Sequence, residues 1–140
     1  MLIRPTYKPH WDIPGGYVEP NESPYRACVR EIGEELGITR RLGSLLVVDW
    51  APTDQEGDKI LYIFDGGRLS DDDLARVAFV DGEISEYRYL DATDIGNLVP
   101  ARLARRIATA LDAKHRRQPT YAEHGRAFPS PDEPGSGQRP

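Results

Sequence analysis

The chain has 140 residues, enough for one domain with a single core. Its 18 basic and 23 acidic residues leave a formal charge of −5, which gives no electrostatic case for binding nucleic acid or a membrane surface. No apolar run approaches a membrane span, the start at Met1 lacks the shape of a secretory signal, and the lone Cys28 cannot form an internal disulfide, so a cytoplasmic protein is expected.

Leu2 to Arg4 predicts a strand stub, Pro5 to Pro9 a loop, and Trp11 to Ile13 a short strand before the Pro14-Gly15-Gly16 turn. Ser23 and Pro24 supply a helix start, as N-cap and first helical residue, and Gly37 suits the left-handed cap at the far end. Within that helix Tyr25, Cys28, Val29, Ile32 and Leu36 share a core face, which makes Cys28 a buried thiol rather than a nucleophile. Leu42 to Trp50 reads as a strand, residues 53–59 as a polar turn broken at Gly57, and Ile60 to Phe64 as a strand buried on both faces. Ser70 to Leu74 starts a short helix, and Glu86 to Leu90 alternates like a half-buried strand. Pro100 opens a last helix, with Leu103, Ile107 and Leu111 inward and Arg102, Arg105 and Arg106 outward. Its basic end, Lys114 to Arg117, complements the helix dipole. From Gln118 onward Pro, Gly, Ser and charged residues dominate, so residues 1–117 are expected as the domain and 118–140 as a disordered tail. His10, His115 and His124 are scattered, without metal-ligand spacing. Strands and helices interleave irregularly, which favours an α/β class with a mixed sheet over a doubly wound one.

Glu31, Glu34 and Glu35 fall at i, i+3 and i+4 on the helix face opposite the core. Three crowded carboxylates repel one another, and hard divalent cations such as Mg²⁺ or Mn²⁺ remove that repulsion. Arg30 lies beside this face and Glu22 on the loop before it, so an ion pair between them would tie loop to helix. An acidic helix face alone usually means solvated surface. The fuller pattern decides otherwise: Gly16, then Glu22 six positions on, then the run Arg30-Glu31-Ile32-Gly33-Glu34-Glu35-Leu36-Gly37-Ile38.

Residues 16–38 resemble the Nudix box, with every fixed position of the family pattern filled, and the wider resemblance runs over residues 2–112. The resemblance implies an α/β/α sandwich with a mixed sheet, in which the box forms a loop–helix–loop. It implies hydrolysis, with a divalent metal, of a nucleoside diphosphate linked to another moiety. Glu31 and Glu35 are then metal ligands, Glu34 a ligand or water-orienting group, and the Gly15 carbonyl a further ligand, while Glu22 and Arg30 act as a brace. Glu34, Glu35 and a late-loop glutamate are the implied catalytic carboxylates; of Glu83 and Glu86, Glu83 is preferred. The expected partner is a small-molecule nucleotide, with a homodimer left open. Trp11 and Tyr17 are stacking candidates for the substrate, as are Trp50 and Tyr62. ADP-ribose-like compounds, hinted at by Pro52, and modified nucleoside triphosphates such as 8-oxo-dGTP stand side by side. The alternative is a non-catalytic Nudix-fold sensing or binding module, or an inactive truncated form; retention of Glu22, Glu31, Glu34 and Glu35 argues against the sensing or binding module. One departure from the family is visible. Its members normally carry a strand and turn ahead of the segment matching Leu2-Ile3-Arg4, and here only Met1 precedes. The sheet is therefore expected to lack its first strand and to leave an interior slot open.

Overall fold

Local signals set the box helix. In a computed structural model, which describes residues 1–80 and 82–128, helix α1 spans Pro24–Leu36. The Ser23 side chain accepts a hydrogen bond from the Arg26 amide, and Pro24 occupies the first turn, where its missing N–H costs nothing. Gly37 ends the helix at φ 68°, its amide bonded to the Gly33 carbonyl. These devices fix where α1 begins and ends, and so which way its acidic face points.

The remaining elements are strands β1 (Leu2–Pro5), β2 (Leu45–Trp50) and β3 (Ile60–Phe64), helix α2 (Asp71–Arg76), strand β4 (Ile84–Arg88), helix α3 (Ala101–Arg116), and strands β5 (Thr120–Glu123) and β6 (Arg126–Ala127). They form a two-stranded antiparallel sheet, β1–β4, and a mixed four-stranded sheet in the order β3-β2-β5-β6. Strand β2 pairs antiparallel with β3 and parallel with β5, with Val47 opposite Thr120 and Trp50 opposite Glu123. Helix α3 packs across β2, β5 and β6. Ala110, Ala113 and Ala122 are buried there beside Val47, small side chains that let helix and sheet approach closely. Helix α1 packs Ile32 and Leu36 against Ile3, Ile38 and Ile84 in a second cluster. A third cluster joins Leu2 and Trp11 to Ile95, Val99 and Leu103.

Several expectations change. The interior slot is not open, because β2 has a partner on each side and β5 occupies the second. Residues 120–127 are therefore strand and turn, not disordered tail; residues 129–140 of the expected tail lie outside the described residues. The hairpin is ordered by particular contacts that average composition conceals. Ala122 is fully buried, and the turn residue Gly125 (φ +79°) lies where a Cβ would stand 2.7 Å from the Arg102 carbonyl and 2.8 Å from the Arg106 nitrogen. Arg106, expected outward, is buried against Asp49. Ile60 and Tyr62, expected in a strand buried on both faces, are exposed on one. The Trp11–Ile13 strand reduces to a single bridge between Ile3 and Asp12. Among the described residues, no helix is long and apolar enough to cross a membrane.

Candidate active site

Arg30 organises the acidic face of α1. Its Nε donates to Glu22 Oε1 at 3.1 Å and one terminal nitrogen to Glu22 Oε2 at 3.1 Å, a two-point grip. That same nitrogen donates to the Tyr17 carbonyl at 3.0 Å, and the other to Glu31 at 3.0 Å and Glu34 at 2.9 Å. A guanidinium has five N–H groups, and each has an acceptor here. The loop from Tyr17 to Glu22 is thereby tied to the helix, and charge repulsion among the three glutamates is partly offset. Glu22 is held below the usual carboxylate range, first by its hydrogen bond from Arg30.

Glu35 has a different environment. It is buried at 8 % exposure, and its Oε2 accepts from the Gly15 amide at 2.9 Å. Burial pushes its pKa up to about 7; the Gly15 amide opposes the rise, while Glu31 and Asp12 add to it and Lys8 counters. Gly16 presses against Glu31: a Cβ built there would lie 2.2 Å from Glu31 Oε1. The Pro14-Gly15-Gly16 turn thus brings the Gly16 backbone onto the carboxylate face, and Gly15 takes a φ of +139° that residues with side chains rarely adopt.

Among the described residues, no three Asp, Glu, His or Cys side chains form a ready-made metal cage. Arg30 accounts for this on one side, since it engages Glu31 and Glu34, and the Glu34 side chain is 52 % exposed. The donor chemistry nonetheless fits a hard divalent cation. Glu35 is a buried carboxylate, raised in pKa partly by Glu31, and a cation between the two would relieve both burial and repulsion. The fit is best for Glu31 and Glu35, with Glu34 on the same helix face.

A cavity of about 540 Å³ opens beside this turn. Its wall includes Asp12, Gly15, Gly16, Tyr17, Cys28 and Tyr62 near α1 and β3, and Arg102 and Arg106 from α3. Tyr17 is 72 % exposed, and its hydroxyl donates to Glu56 across the mouth. Trp11 contributes to the wall but is 4 % exposed, packed in the core with the Arg88 guanidinium over its ring at 4.9 Å, which makes it a poor stacking surface. Cys28 is half-buried, and its thiol is pushed up by burial. Neither late glutamate is among the described residues that line the cavity. Glu86 is engaged by Arg4 and Arg88, and the Glu83 backbone carbonyl accepts from the amide and hydroxyl of Thr6. Trp50 stacks edge-on with His124 instead of facing the cavity. Sequence reasoning missed Lys8 and Asp12, an i,i+4 ion pair at 2.5 Å that acts electrostatically on Glu35. No local signal marked them, because only the folded turn brings their charges to bear on Glu35.

Comparison with known proteins agrees with this architecture. A family model described as NUDIX domain matches residues 1–112. Human diphosphoinositol polyphosphate phosphohydrolase 3-beta is 38 % identical over 72 residues, covering 51 % of this chain and 44 % of that protein. A putative 8-oxo-dGTP diphosphatase of Bacillus subtilis (strain 168) is 37 % identical over 62 residues, covering 44 % of this chain and 42 % of that one. The chain spans less than half the length of these curated relatives. The crystal structure of a MutT protein from Methanosarcina mazei Go1 superposes with a TM-score of 0.64 at 27 % identity, covering 83 % of each chain. An Ap4A hydrolase of C. elegans shares the fold, with a TM-score of 0.58 at 22 % identity over 79 % of this chain and 85 % of that one. With the box carried by α1 and its flanking turn, an overall fold like that of the Methanosarcina mazei protein and a family match over residues 1–112, the chain belongs to the Nudix domain family.

Proposed function

We propose that the chain is a divalent-metal-dependent pyrophosphohydrolase that cleaves a small-molecule nucleoside diphosphate linked to another moiety, working in the cytoplasm. One observation carries this reading: the buried, raised Glu35 beside Glu31, under the Gly15-Gly16 turn and next to an open cavity. Mg²⁺ or Mn²⁺ held by Glu31 and Glu35, with Glu34 and the Gly15 carbonyl, would neutralise phosphate oxygens and acidify a water. Water attacking phosphorus in line would hand its proton to whichever of Glu34 and Glu35 the cation leaves free. Glu34 orients that water or completes the ligand set. Arg30 and Glu22 hold loop and helix in register. Tyr17 and Tyr62 are the accessible aromatics at the cavity for a base or sugar.

Phosphate release from a compound panel, with Mg²⁺ or Mn²⁺ and a coupled phosphatase, tests the reading. The panel holds ADP-ribose, 8-oxo-dGTP, a dinucleoside tetraphosphate and a diphosphoinositol polyphosphate, the last three prompted by the names of relatives. Metal-dependent release from at least one, lost on chelation, supports the proposal. Binding without turnover across the panel would convert the chain to a nucleotide-binding module.

A further inference from the structure

The α3 end of the cavity carries positive charge that the proposed hydrolysis does not use. Helix α3 runs 16 residues; Pro100 at its N-cap offers no side-chain hydrogen bond, and no acidic residue stands in its first turn. Pro100, Arg102 and Leu103 all line the cavity, so the positive pole of the helix adjoins it. The amides of Leu103 and Ala104 bond back to the Pro100 carbonyl, whereas those of Ala101 and Arg102 come too early for an intrahelical acceptor.

A second feature points the same way. Arg106, one turn further along, also lines the cavity, and its side chain is only 8 % exposed. Its Nε donates to Asp49 Oδ2 at 2.6 Å, while its Nη2 is buried without a hydrogen-bond partner. The other Asp49 oxygen is taken by the Gly125 amide at 2.9 Å. Buried guanidinium nitrogens normally have acceptors, so this one marks a place where an acceptor belongs. Arg102, half-buried, donates a long bond of 3.4 Å to the Pro52 carbonyl. The lysines in the cavity wall, Lys8 and Lys59, are paired at 2.5 Å with Asp12 and Glu56. Arg106 thus keeps one terminal nitrogen unmet and Arg102 has only a long bond, so spare donor capacity in the cavity wall lies at α3.

We propose that the first turn of α3, Arg102 and Arg106 form an anion subsite that takes a second phosphate group of the bound compound, separate from the phosphoanhydride at the Glu31–Glu35 face. That this phosphate belongs to a substrate rests on the pyrophosphohydrolase reading; the subsite itself rests on α3. Its consequence is a preference for compounds carrying a phosphate beyond the scissile linkage over those ending in a neutral sugar. Helix-pole amides together with a guanidinium favour tetrahedral, multiply charged oxyanions.

Inorganic phosphate is the probe for the first arm, titrated into the full chain in chelator and followed by NMR of backbone amides and arginine Nε–H groups. The amides of Ala101 and Arg102 and the Nε–H of Arg106 should shift together and saturably. Arg102→Gln should weaken phosphate by about tenfold, the scale of one charge-assisted hydrogen bond. Arg106→Lys should also weaken it; if that variant does not fold, Arg102→Gln decides alone. Shifts scattered over surface lysines, or affinity untouched by Arg102→Gln, would overturn the subsite. The second arm compares matched dinucleotides with and without a 2′-phosphate as substrates. The extra phosphate should lower KM with little change in kcat, and Arg102→Gln should erase the difference. Phosphate binding at α3 without hydrolysis of any compound would uphold the subsite and remove the hydrolase reading. Hydrolysis with no phosphate shift and no preference would do the reverse.

Discussion

Two arginines divide the molecule. Arg30 lies at the edge of the acidic helix, with all five of its N–H groups engaged by Glu22, Glu31, Glu34 and the Tyr17 carbonyl. Arg106 lies inside, between helix and sheet, holding Asp49 through Nε while one terminal nitrogen goes without a partner. A saturated guanidinium at a half-exposed site is a brace: it fixes geometry, and its net contribution to stability is small. A buried pair with an unmet donor is a commitment, since removing either partner strands a charge. The first arrangement predicts damage to chemistry, the second damage to folding.

The sharpest break between the two comes from Glu35→Gln. This change keeps shape and removes the carboxylate that the proposed chemistry requires. Turnover should fall by about 10²–10⁴-fold, the scale of lost proton transfer or metal activation. Because Glu35 is raised in pKa by burial, a neutral amide should be accepted in the fold and the metal-free melt should barely move. Initial rates and calorimetry on one preparation decide the matter, and unaltered turnover would remove Glu35 from the mechanism.

The mirror experiment is Asp49→Ala. Asp49 is fully buried and joins Arg106 to the Gly125 amide, so its loss uncouples α3, β2 and the β5–β6 turn together. A destabilisation of about 3–5 kcal/mol is expected, the range for stranding one partner of a buried pair. Chemical denaturation measures it. A loss of less than 1 kcal/mol, on the order of an exposed pair, would mean that Arg106 finds other partners.

A more graded effect tests the brace. Arg30→Lys retains the charge but replaces a five-donor fork by a point charge with three donors. Glu22, Glu31, Glu34 and the Tyr17 carbonyl cannot all be served. Metal affinity or turnover should drop roughly 10–100-fold while the melt changes little. A metal titration by calorimetry reads this directly, and an unchanged binding constant together with unchanged rates would return the pair to a surface role.

The same contrast explains what the sequence disclosed. The box helix is written in local chemistry: Ser23, Pro24 and Gly37 mark its ends, and the 3.6-residue period assigns Glu31, Glu34 and Glu35 to one face. Such signals survive in a single sequence because each acts within a few residues. The Asp49–Arg106 contact joins positions 57 apart, and nothing local distinguishes Arg106 from the exposed arginines of α3. The β5–β6 hairpin was concealed for the same reason. Its order comes from Ala122 packing under α3 and Gly125 meeting the backbone of Arg102 and Arg106, contacts that depend on β2 already being in place. Lys8 and Asp12 were hidden because their influence on Glu35 passes through space across the turn.

The smallest expected effect is a pH dependence that separates the two regions in one measurement. Glu35 has a folded pKa of about 7 against an ordinary value of 4.5, so the folded state holds its proton more tightly than the unfolded state. The stability this contributes is complete below pH 4.5, declines as pH rises and is gone above about 7. In chelator, the protein should therefore lose stability between pH 5 and 7 through this group, by about 1 kcal/mol once residual solvent screening is allowed for. The carboxylates held below their usual range, Glu22, Asp65 and Asp73, act in the opposite sense and mostly below this window. The Met1 amine, lowered by burial, contributes chiefly toward the alkaline end. Glu35→Gln should flatten the slope, and Arg30→Lys should leave most of it, since Arg30 has no bond to Glu35. Saturating Mg²⁺ should reverse it, because a cation competes with the proton for the same oxygens. A parent slope identical to that of Glu35→Gln would show that Glu35 titrates as an ordinary surface acid, and the α1 face would then have no buried base to offer the proposed chemistry.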